Sequence, residues 1–189
     1  MEFNTHFDLN GKHAFLSGSN YHWINYTPDK LEQVYANLKK KEEGTLLHAF
    51  ASMAIQKRIK LAPLKKALNM FVNDAIGFGM VSEQVLYYSD NCFGTADAIL
   101  FKNNKLQIHD LKTGASKVSF KQLDIYAAMF CLEYSVSPHE IEIEQRLYQK
   151  RDYEINFPDP HEIDKIMQLI SGQKLKLSDV LGNQLSFNL

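Results

Sequence analysis

The sequence has few of the features that mark the specialised classes of protein. Only two cysteines occur, Cys92 and Cys131, far apart and outside any C-x-x-C pair. This argues against a disulfide scaffold, a zinc ribbon and a four-cysteine iron–sulfur cluster. No apolar run approaches the ~18 residues that span a bilayer. Residues 1–10 also lack the basic flank and apolar stretch of a secretory signal. We therefore expect a cytoplasmic protein without a membrane partner.

A strong net charge is also absent. The chain of 189 residues carries 21 Lys+Arg against 22 Asp+Glu, which gives a formal net charge of −1. Hydrophobic residues make up 45% of the sequence and charged residues 23%, so a wholly disordered chain is excluded. The length fits one domain with a sizeable core. Near-neutral charge does not exclude nucleic-acid binding, but it removes the simplest electrostatic argument for it.

The charges are unevenly distributed along the chain. Residues 1–66 carry 10 Lys+Arg and 6 Asp+Glu (+4), whereas residues 67–189 carry 11 and 16 (−5). Two interpretations of the basic part are open: solvated helix faces, or a surface that faces phosphates. An acidic stretch at Glu140–Glu144 fits a face turned away from nucleic acid. The basic part is made largely of Lys39, Lys40, Lys41, Lys57, Arg58, Lys60, Lys65 and Lys66.

Residues 28–76 have the pattern of three helices. The first is predicted over Pro28–Lys41, with Thr27 as its N-cap and Pro28 in its first turn. The second is predicted over Gly44–Lys60. The third is predicted over Pro63–Ile76, ended by Gly77.

The hydrophobic pattern then changes from helical to alternating. Strands are predicted over residues 81–88, 93–101, 106–111, 141–148 and 153–157, with helices over 119–133 and 161–170 and an unassigned tail. The order of elements predicts an α/β (mixed α+β) fold.

A hairpin register brings two acidic residues together. Asn103-Asn104 suits a tight turn because asparagine tolerates positive φ. Counting outward from this turn places Ile99 opposite Ile108 and Asp97 opposite Asp110. Opposed residues have Cβ atoms roughly 4.5–5.5 Å apart, and like charges at that distance destabilise a sheet. A divalent cation with oxygen ligands is the simplest way to offset this cost.

Lys112 lies two residues beyond Asp110, and strand alternation places both side chains on one face. Two acids and a lysine are what a metal-assisted hydrolase needs, because the acids hold the metal and the lysine orients water and stabilises developing charge. The alternative is a same-face salt bridge between Asp110 and Lys112, with Asp97 capping a turn. The same alternation directs His109 to the opposite face.

With these residues, the chain resembles the PD-(D/E)XK nucleases, and more narrowly their RecB-type branch. That branch includes RecB and AddB nuclease domains, the CRISPR-adaptation exonucleases and, more distantly, lambda exonuclease. The resemblance covers about Gly44 to Tyr134, roughly half the chain. Its motifs are Gly44-Thr-Leu-Leu-His48, Gly94-x-x-Asp97, Asp110-x-Lys112-Thr-Gly and Gln122-x-x-x-Tyr126.

The resemblance implies a set of metal ligands. His48, Asp97 and Asp110 would ligate Mg²⁺ or Mn²⁺, with the Leu111 carbonyl as a further ligand. Glu83 lies where relatives often carry a glutamate, without an assigned role. Seen alone, His48 is more often an interior histidine than a ligand, but the small residues near it would leave room for a metal and a substrate.

The resemblance also implies a row of residues beside the metal. Lys112 would act on the attacking water, and Gln122 and Tyr126 would line the site and contact DNA or support the lysine. Two alternatives stay open. Ser119-x-x-Gln122 fits a capping box, in which Gln122 only closes its helix. Tyr126 as a core residue would need only a partner for its hydroxyl.

The sequence departs from the family pattern in limited ways. Ala96, not proline, precedes Asp97, which the RecB-type branch tolerates, and the iron–sulfur cysteines of some relatives are absent. The chain has no G-x-x-x-x-G-K-[ST] phosphate loop, so any helicase motor would be a separate protein.

The resemblance implies a restriction-endonuclease-like core, a central mixed sheet flanked by helices, within one domain over residues 1–189. A mostly helical part (1–78) would carry His48, the sheet core (79–160) would be catalytic, and a helix and tail (161–189) would follow. The implied activity is a metal-dependent deoxyribonuclease, an exonuclease of the stand-alone phage type acting in DNA recombination, replication or processing. DNA is the expected partner, with a helicase, recombinase or single-strand-binding protein beside it. The alternatives are a catalytically silent module that binds DNA or a partner protein, and an endonuclease of the same superfamily.

Overall fold

A computed structural model describes residues 5, 7–9, 11–12, 14–114 and 119–186, with the side chains of the last helix described up to residue 173. The chain divides into two compact units, Met1–Thr45 and Leu46–Leu189. The prediction of one nuclease-like domain over residues 1–189 stays a prediction. All of the predicted site residues belong to the second unit.

The first unit contains two short 3₁₀ helices, Phe7–Leu9 and Tyr21–Asn25, and the first part of helix α1. The indole N–H of Trp23 donates to the Ser17 carbonyl over 3.0 Å. Thr27 caps α1 as predicted, because its hydroxyl accepts a hydrogen bond from the Lys30 amide over 3.3 Å.

The helices and strands follow the predicted order, except that two helices and not three precede the first strand. Their bounds are α1 (Pro28–Gln56), α2 (Ala67–Phe78), β1 (Val81–Ser89), β2 (Cys92–Lys102), β3 (Lys105–Lys112), α3 (Lys121–Tyr134), β4 (Glu142–Gln149), β5 (Asp152–Asn156) and α4 (Pro160–Ser186).

The second unit is built on one mixed sheet with the strand order β1-β2-β3-β4-β5. The pairs β1–β2, β2–β3 and β4–β5 are antiparallel, whereas β3 and β4 are parallel. Parallel neighbours need a crossover connection, and α3 supplies it. The mixed α+β fold class, the central mixed sheet flanked by helices and the N-terminal helical part are therefore confirmed.

The sheet separates two hydrophobic cores, because successive strand side chains point to opposite faces. One core joins Ile99 and Ile108 of the sheet to Leu123 of α3 and Ile163 of α4. The other core contains sheet residues such as Leu111, and helical residues of α2 and of the C-terminal part of α1. The helices are thereby held at fixed positions around β2 and β3.

The predicted strands are confirmed to within one residue at each end. The turn at Asn103-Asn104 is also confirmed, with φ of 52° and 57° at its two residues. Ile99 pairs with Ile108, as counted from that turn. The unassigned tail continues α4 as far as Ser186.

The helical predictions before residue 78 need four corrections. The first two predicted helices are one helix, α1, and Gly44 lies inside it. A glycine costs a helix only about 0.5–1 kcal/mol, which its helix-forming neighbours overcome. The end of α1 is at Gln56 and not at Lys60, because Arg58 takes a left-handed φ of 56° and the Ile59 amide turns back to the Ala54 carbonyl over 2.9 Å.

The third predicted helix begins at Ala67 and not at Pro63. Its own Asn73 holds the preceding segment out of the helix, since the Asn73 amide group exchanges hydrogen bonds of 2.8 and 3.0 Å with the backbone of Leu61. The helix continues past Gly77 to Phe78, and Gly79, with φ of 80°, forms the left-handed cap.

Candidate metal-binding and catalytic site

Three carboxylates lie in one row across β1, β2 and β3. The β2–β3 ladder runs to the pair Ala98–His109. Asp97 and Asp110 are the next residues on each strand, just beyond the last pair of the ladder, so their direct pairing stays a prediction. On the other side, Glu83 lies between two β1–β2 pairs at the position opposite Asp97. Like charges at such positions repel one another. The row therefore concentrates negative charge, which a nearby cation would offset.

Asp97 is at the centre of this row and has two neighbours from other elements. Its Oδ2 lies 3.2 Å from Nδ1 of His48, which α1 presents, and accepts a hydrogen bond from the Leu111 amide over 2.8 Å. The hydrogen bond to Asp97 raises the pKa of His48, against the opposing effect of burial. The structure thus brings together His48, Asp97 and the main chain of Leu111.

Asp110 is only 3% exposed, and Lys112 is the one side chain that donates a hydrogen bond to it among the described residues. The Lys112 ammonium donates to its Oδ1 over 3.1 Å and lies 3.0 Å from its Oδ2. Among the described residues, however, Oδ2 has no hydrogen-bond donor with acceptable geometry. Burial, and secondly the charge of Asp97, raise the pKa of Asp110. A buried carboxylate oxygen without a donor has the capacity to bind a cation.

Lys112 is held from its other side by a hydrogen-bonded pair on α3. Its Nζ donates to Oε1 of Gln122 over 2.6 Å, and Nε2 of Gln122 donates to the Tyr126 hydroxyl over 3.0 Å. Gln122 and Tyr126 are one helical turn apart, so their side chains share a face. The structure therefore connects Asp110, Lys112, Gln122 and Tyr126 in one chain of contacts.

The same contacts exclude the capping-box alternative for Gln122. In a capping box the Gln122 side chain would return to the backbone at the start of its helix. Its amide is instead engaged with Lys112 and Tyr126. The Ser119 hydroxyl accepts from the Lys121 amide over 3.3 Å, and the N-cap of α3 is Phe120.

Gly94 has a steric reason to be glycine. A Cβ at this position would lie 2.8 Å from Cε1 of Tyr126. The absence of a side chain on β2 thus lets the Tyr126 ring lie against the strand. The Gly94-x-x-Asp97 motif therefore links the position of Asp97 to that of Tyr126.

Glu83 is the residue to which the sequence analysis assigned no role. It has a left-handed φ of 53° within β1, a conformation that a residue with a side chain adopts at a cost of about 1–2 kcal/mol. Burial and the nearby charge of Asp97 raise its pKa, although His48 lowers it in part. The β1–β2 register places Glu83 between the pairs Ser82–Ala98 and Gln84–Ala96. No local sequence signal indicates its left-handed backbone.

The group of potential metal ligands at this site differs in one member from the predicted set. One potential ligand atom from each of His48, Glu83 and Asp97 lies within 4.8 Å of the others. Asp110 is outside this group and is held by Lys112. Imidazole and carboxylate ligands fit Mn²⁺, and carboxylates with a main-chain carbonyl fit Mg²⁺. The donor set and the unsatisfied oxygen of Asp110 therefore suit the predicted ions.

His109 lies outside the site, as alternation predicts. Its side chain is fully buried and packs edge-on against Phe78. Burial, and secondly the charge of Arg146, lower the pKa of His109 to about 3. The neutral imidazole is therefore a core residue at neutral pH.

Fold and site together define a mixed α+β protein with a carboxylate-rich candidate site on three adjacent strands. Residues 80–151, less than half of the chain, are similar to a family described as "Protein of unknown function (DUF2800)". This segment carries Glu83, Asp97, Asp110 and the Lys112–Gln122–Tyr126 chain. No curated protein and no solved structure matches the sequence. Within the described residues, no helix has the length and apolar character needed to cross a membrane.

Proposed function

We propose that this protein is a metal-dependent nuclease that hydrolyses phosphodiester bonds in DNA. The observation that carries the proposal is the Glu83–Asp97–Asp110 row, with His48 on one side of it and Lys112 on the other. A salt bridge alone would satisfy Asp110 and would need neither His48 nor Glu83 nearby. The burial of Asp110 beside Asp97, with the Lys112 ammonium as its ion-pair partner, supports a site that is completed by a cation.

The ligands proposed for this cation are His48, Asp97 and Asp110, with the Leu111 carbonyl and with Glu83 added by the geometry. A bound Mg²⁺ or Mn²⁺ would lower the pKa of a coordinated water and neutralise charge on the scissile phosphate. Asp97 is oriented for this role by its hydrogen bond from the Leu111 amide. His48 is oriented by Asp97 in turn.

Lys112 is proposed to act on the attacking water or on a phosphate oxygen. Its ammonium group has three donors, and Asp110 and Gln122 engage two of them at 3.1 and 2.6 Å. These two contacts fix the position of Nζ beside the carboxylate row. Gln122 and Tyr126 are positioning residues in this proposal, because they act through Lys112.

An exposed basic segment supports a polyanionic substrate. Lys57, Lys60, Lys65 and Lys66 are exposed between α1 and α2, and none of them forms a salt bridge within the described part of the chain. Exposed lysines bind phosphates mainly by releasing counterions, so the affinity falls steeply with salt. We expect DNA binding by this protein to weaken strongly as the salt concentration rises.

In its finer form the proposal is an exonuclease acting on DNA ends in recombination, replication or processing in the cytoplasm. It rests on the resemblance to the RecB-type branch, whose glutamine and tyrosine correspond to the contacting pair Gln122 and Tyr126. A helicase, recombinase or single-strand-binding protein would act beside it, since the sequence has no phosphate loop.

The test is degradation of end-labelled linear single- and double-stranded DNA, and of a closed circle, with Mg²⁺, Mn²⁺ or EDTA. We expect metal-dependent loss of the linear DNA that disappears in Lys112→Ala. Lys102→Ala is the matched control, because Lys102 is an exposed lysine at the other end of the same hairpin. It should cut normally.

Each other outcome contradicts a stated part of the proposal. Cutting of the circle would indicate an endonuclease. Normal cutting by Lys112→Ala would refute the role of Lys112. DNA binding without cleavage under either metal would favour a catalytically silent module that binds DNA or a partner protein.

A further inference from the structure

A second group of potential metal ligands lies at the start of α4. His161 and Asp164 are three residues apart in its first turns and therefore share a face. His139, from the turn between α3 and β4, points its Nε2 at Oδ2 of Asp164 over 2.7 Å. The rings of His139 and His161 are 4.8 Å apart, and one potential ligand atom from each of the three residues lies within 4.8 Å of the others.

The backbone on both sides of this group is held in place. The His139 amide donates to the Ser137 hydroxyl over 3.3 Å, which fixes the turn. The His161 amide donates to the Asp159 carboxylate over 2.9 Å at the start of the helix. Ile163, between the two helical ligands, is fully buried in the core. The three side chains therefore converge from anchored positions.

We propose that His139, His161 and Asp164 bind a borderline divalent cation of the Zn²⁺ type. Two imidazoles and one carboxylate are a common zinc ligand set, and water completes the tetrahedron. This donor set favours Zn²⁺ over Mg²⁺, which prefers oxygen ligands. The group shares no residue with the candidate nuclease site, so it is a separate site.

The ligand atoms need only small movements to bind the ion. Tetrahedral Zn²⁺ holds its ligand atoms about 3.4 Å from one another, since its bonds are about 2.1 Å long. On binding the ion, Nε2 of His139 and Oδ2 of Asp164, now 2.7 Å apart, would separate slightly. The ligand atom of His161, within 4.8 Å of the other two ligand atoms, would move closer to them. The side chains of His139 and Asp164 are 42% and 36% exposed, so both are accessible to an ion from solvent.

The bound ion would tie the turn before β4 to the first turn of α4. A helix N-terminus is unfavourable for a cation. The nearby carboxylates of Asp159 and Asp164 offset that effect. Because the ion binds the folded arrangement and not the unfolded chain, it stabilises the fold. Zinc should therefore raise the unfolding temperature of the protein.

The test is calorimetric titration of metal-free protein with ZnCl₂. The full-length chain should carry Asp97→Ala, so that the group around His48 does not contribute. We expect one site whose affinity falls at least tenfold in His161→Ala and in Asp164→Asn. His22→Ala is the matched control, because His22 is an exposed histidine outside the group, and it should bind as tightly as the parent.

Two further readouts separate the site from a general effect on folding. Co²⁺ should give a visible d–d absorption typical of a tetrahedral site, and both ligand variants should lose it. ZnCl₂ should raise the unfolding temperature of the parent and of His22→Ala only. Equal zinc affinity in His22→Ala, His161→Ala and Asp164→Asn would overturn the proposal, as would tighter binding of Mg²⁺ than of Zn²⁺.

Discussion

Asp110 and Glu144 are two buried carboxylates on adjacent strands with opposite surroundings. They are 3% and 5% exposed. Glu144 accepts from Lys105, Arg146 and Gln107 at 2.7, 2.7 and 3.3 Å. Asp110 has Lys112 alone, 3.1 and 3.0 Å from its two oxygens, and lies near a second carboxylate, Asp97.

The electrostatic consequences differ in sign. Burial alone would raise the pKa of Glu144, but the hydrogen bonds from Lys105 and Arg146 lower it to about 2. Burial and Asp97 raise the pKa of Asp110. A buried carboxylate with a full set of hydrogen-bond donors is compatible with a stable fold. One with few donors destabilises the fold unless a cation or a proton binds to it. The comparison indicates that Asp110, and not Glu144, is the buried carboxylate available to bind a cation.

Asp110→Asn removes the charge of the carboxylate that has the fewer donors. We expect cleavage to fall by more than about 100-fold, because a proposed metal ligand is lost. In EDTA the same variant should be more stable than the parent, because the repulsion with Asp97 is removed. Nuclease rates and urea unfolding measure the two effects. A variant that is both inactive and less stable in EDTA would contradict the proposed difference.

Glu144→Gln should have the opposite effect on stability. The substitution leaves Lys105 and Arg146 without their shared carboxylate, and we expect a loss of about 2–3 kcal/mol in the free energy of unfolding at pH 7. The control is Glu142→Gln, because Glu142 also contacts Lys105 over 2.7 Å but its side chain is 55% exposed. The control should change stability by less than about 0.5 kcal/mol.

The stability differences of Asp110→Asn and Glu144→Gln from the parent should also depend on pH. The folded-state pKa of Glu144 is below its ordinary value of 4.5, so its stabilising contribution is present above pH 4.5 and is lost as the pH falls toward about 2. Asp110 has a raised pKa, so its destabilising effect is present at neutral pH and disappears as the pH falls through that value. Both stability differences should therefore shrink between pH 7 and about pH 3 in metal-free urea unfolding. A difference for Glu144→Gln that is constant with pH would contradict the charge-based explanation.

Gly94→Ala tests whether the position of Lys112 beside Asp110 depends on Gln122 and Tyr126 of α3. The added Cβ would meet Cε1 of Tyr126 at 2.8 Å and displace the ring, and with it Gln122 and Lys112. We expect a loss of activity of about tenfold with a stability loss of about 1–2 kcal/mol. The control is Gly114→Ala, because a Cβ at Gly114 meets nothing within 4 Å. Equal behaviour of the two variants would show that the Tyr126 contact does not matter.

The smallest expected effect is that of Tyr126→Phe. The ring remains in place, and only the hydroxyl that accepts from Gln122 over 3.0 Å is lost. One neutral hydrogen bond contributes about 0.5–1.5 kcal/mol, so we expect a two- to tenfold fall in the cleavage rate with little change in stability. An unchanged rate would place Tyr126 in the packing of the site alone.

Much of the sheet could be predicted because its signals are local. Alternating apolar residues and the Asn103-Asn104 turn determine the strands and their register as far as the pair Ala98–His109, next to Asp97 and Asp110. The helical errors came from interactions that are distant in sequence or lack a residue signal. Asn73 holds Leu61 from twelve residues away, and Arg58 ends α1 in a conformation that usually marks glycine.

The candidate site was predictable where spacing decides which face a side chain occupies. Asp110 with Lys112 follows from strand alternation, and Gln122 with Tyr126 follows from the helical period. The contact between Lys112 and Gln122 depends on how α3 packs on the sheet, which no local pattern gives. The left-handed backbone of Glu83 and the His139–His161–Asp164 group likewise depend on tertiary structure.

The turn at Asn103-Asn104 also has a consequence for how the molecule folds. Asp97 and Asp110 are brought together by one hairpin, and hairpins close in about 1–10 μs, before long-range packing. Five residue pairs separate the turn from the two acids. A slip of one residue in this ladder would carry one acid to the other face of the sheet. Asn103 and Asn104 contact no candidate ligand. Their turn nevertheless determines, during folding, the register that brings the two acids close together.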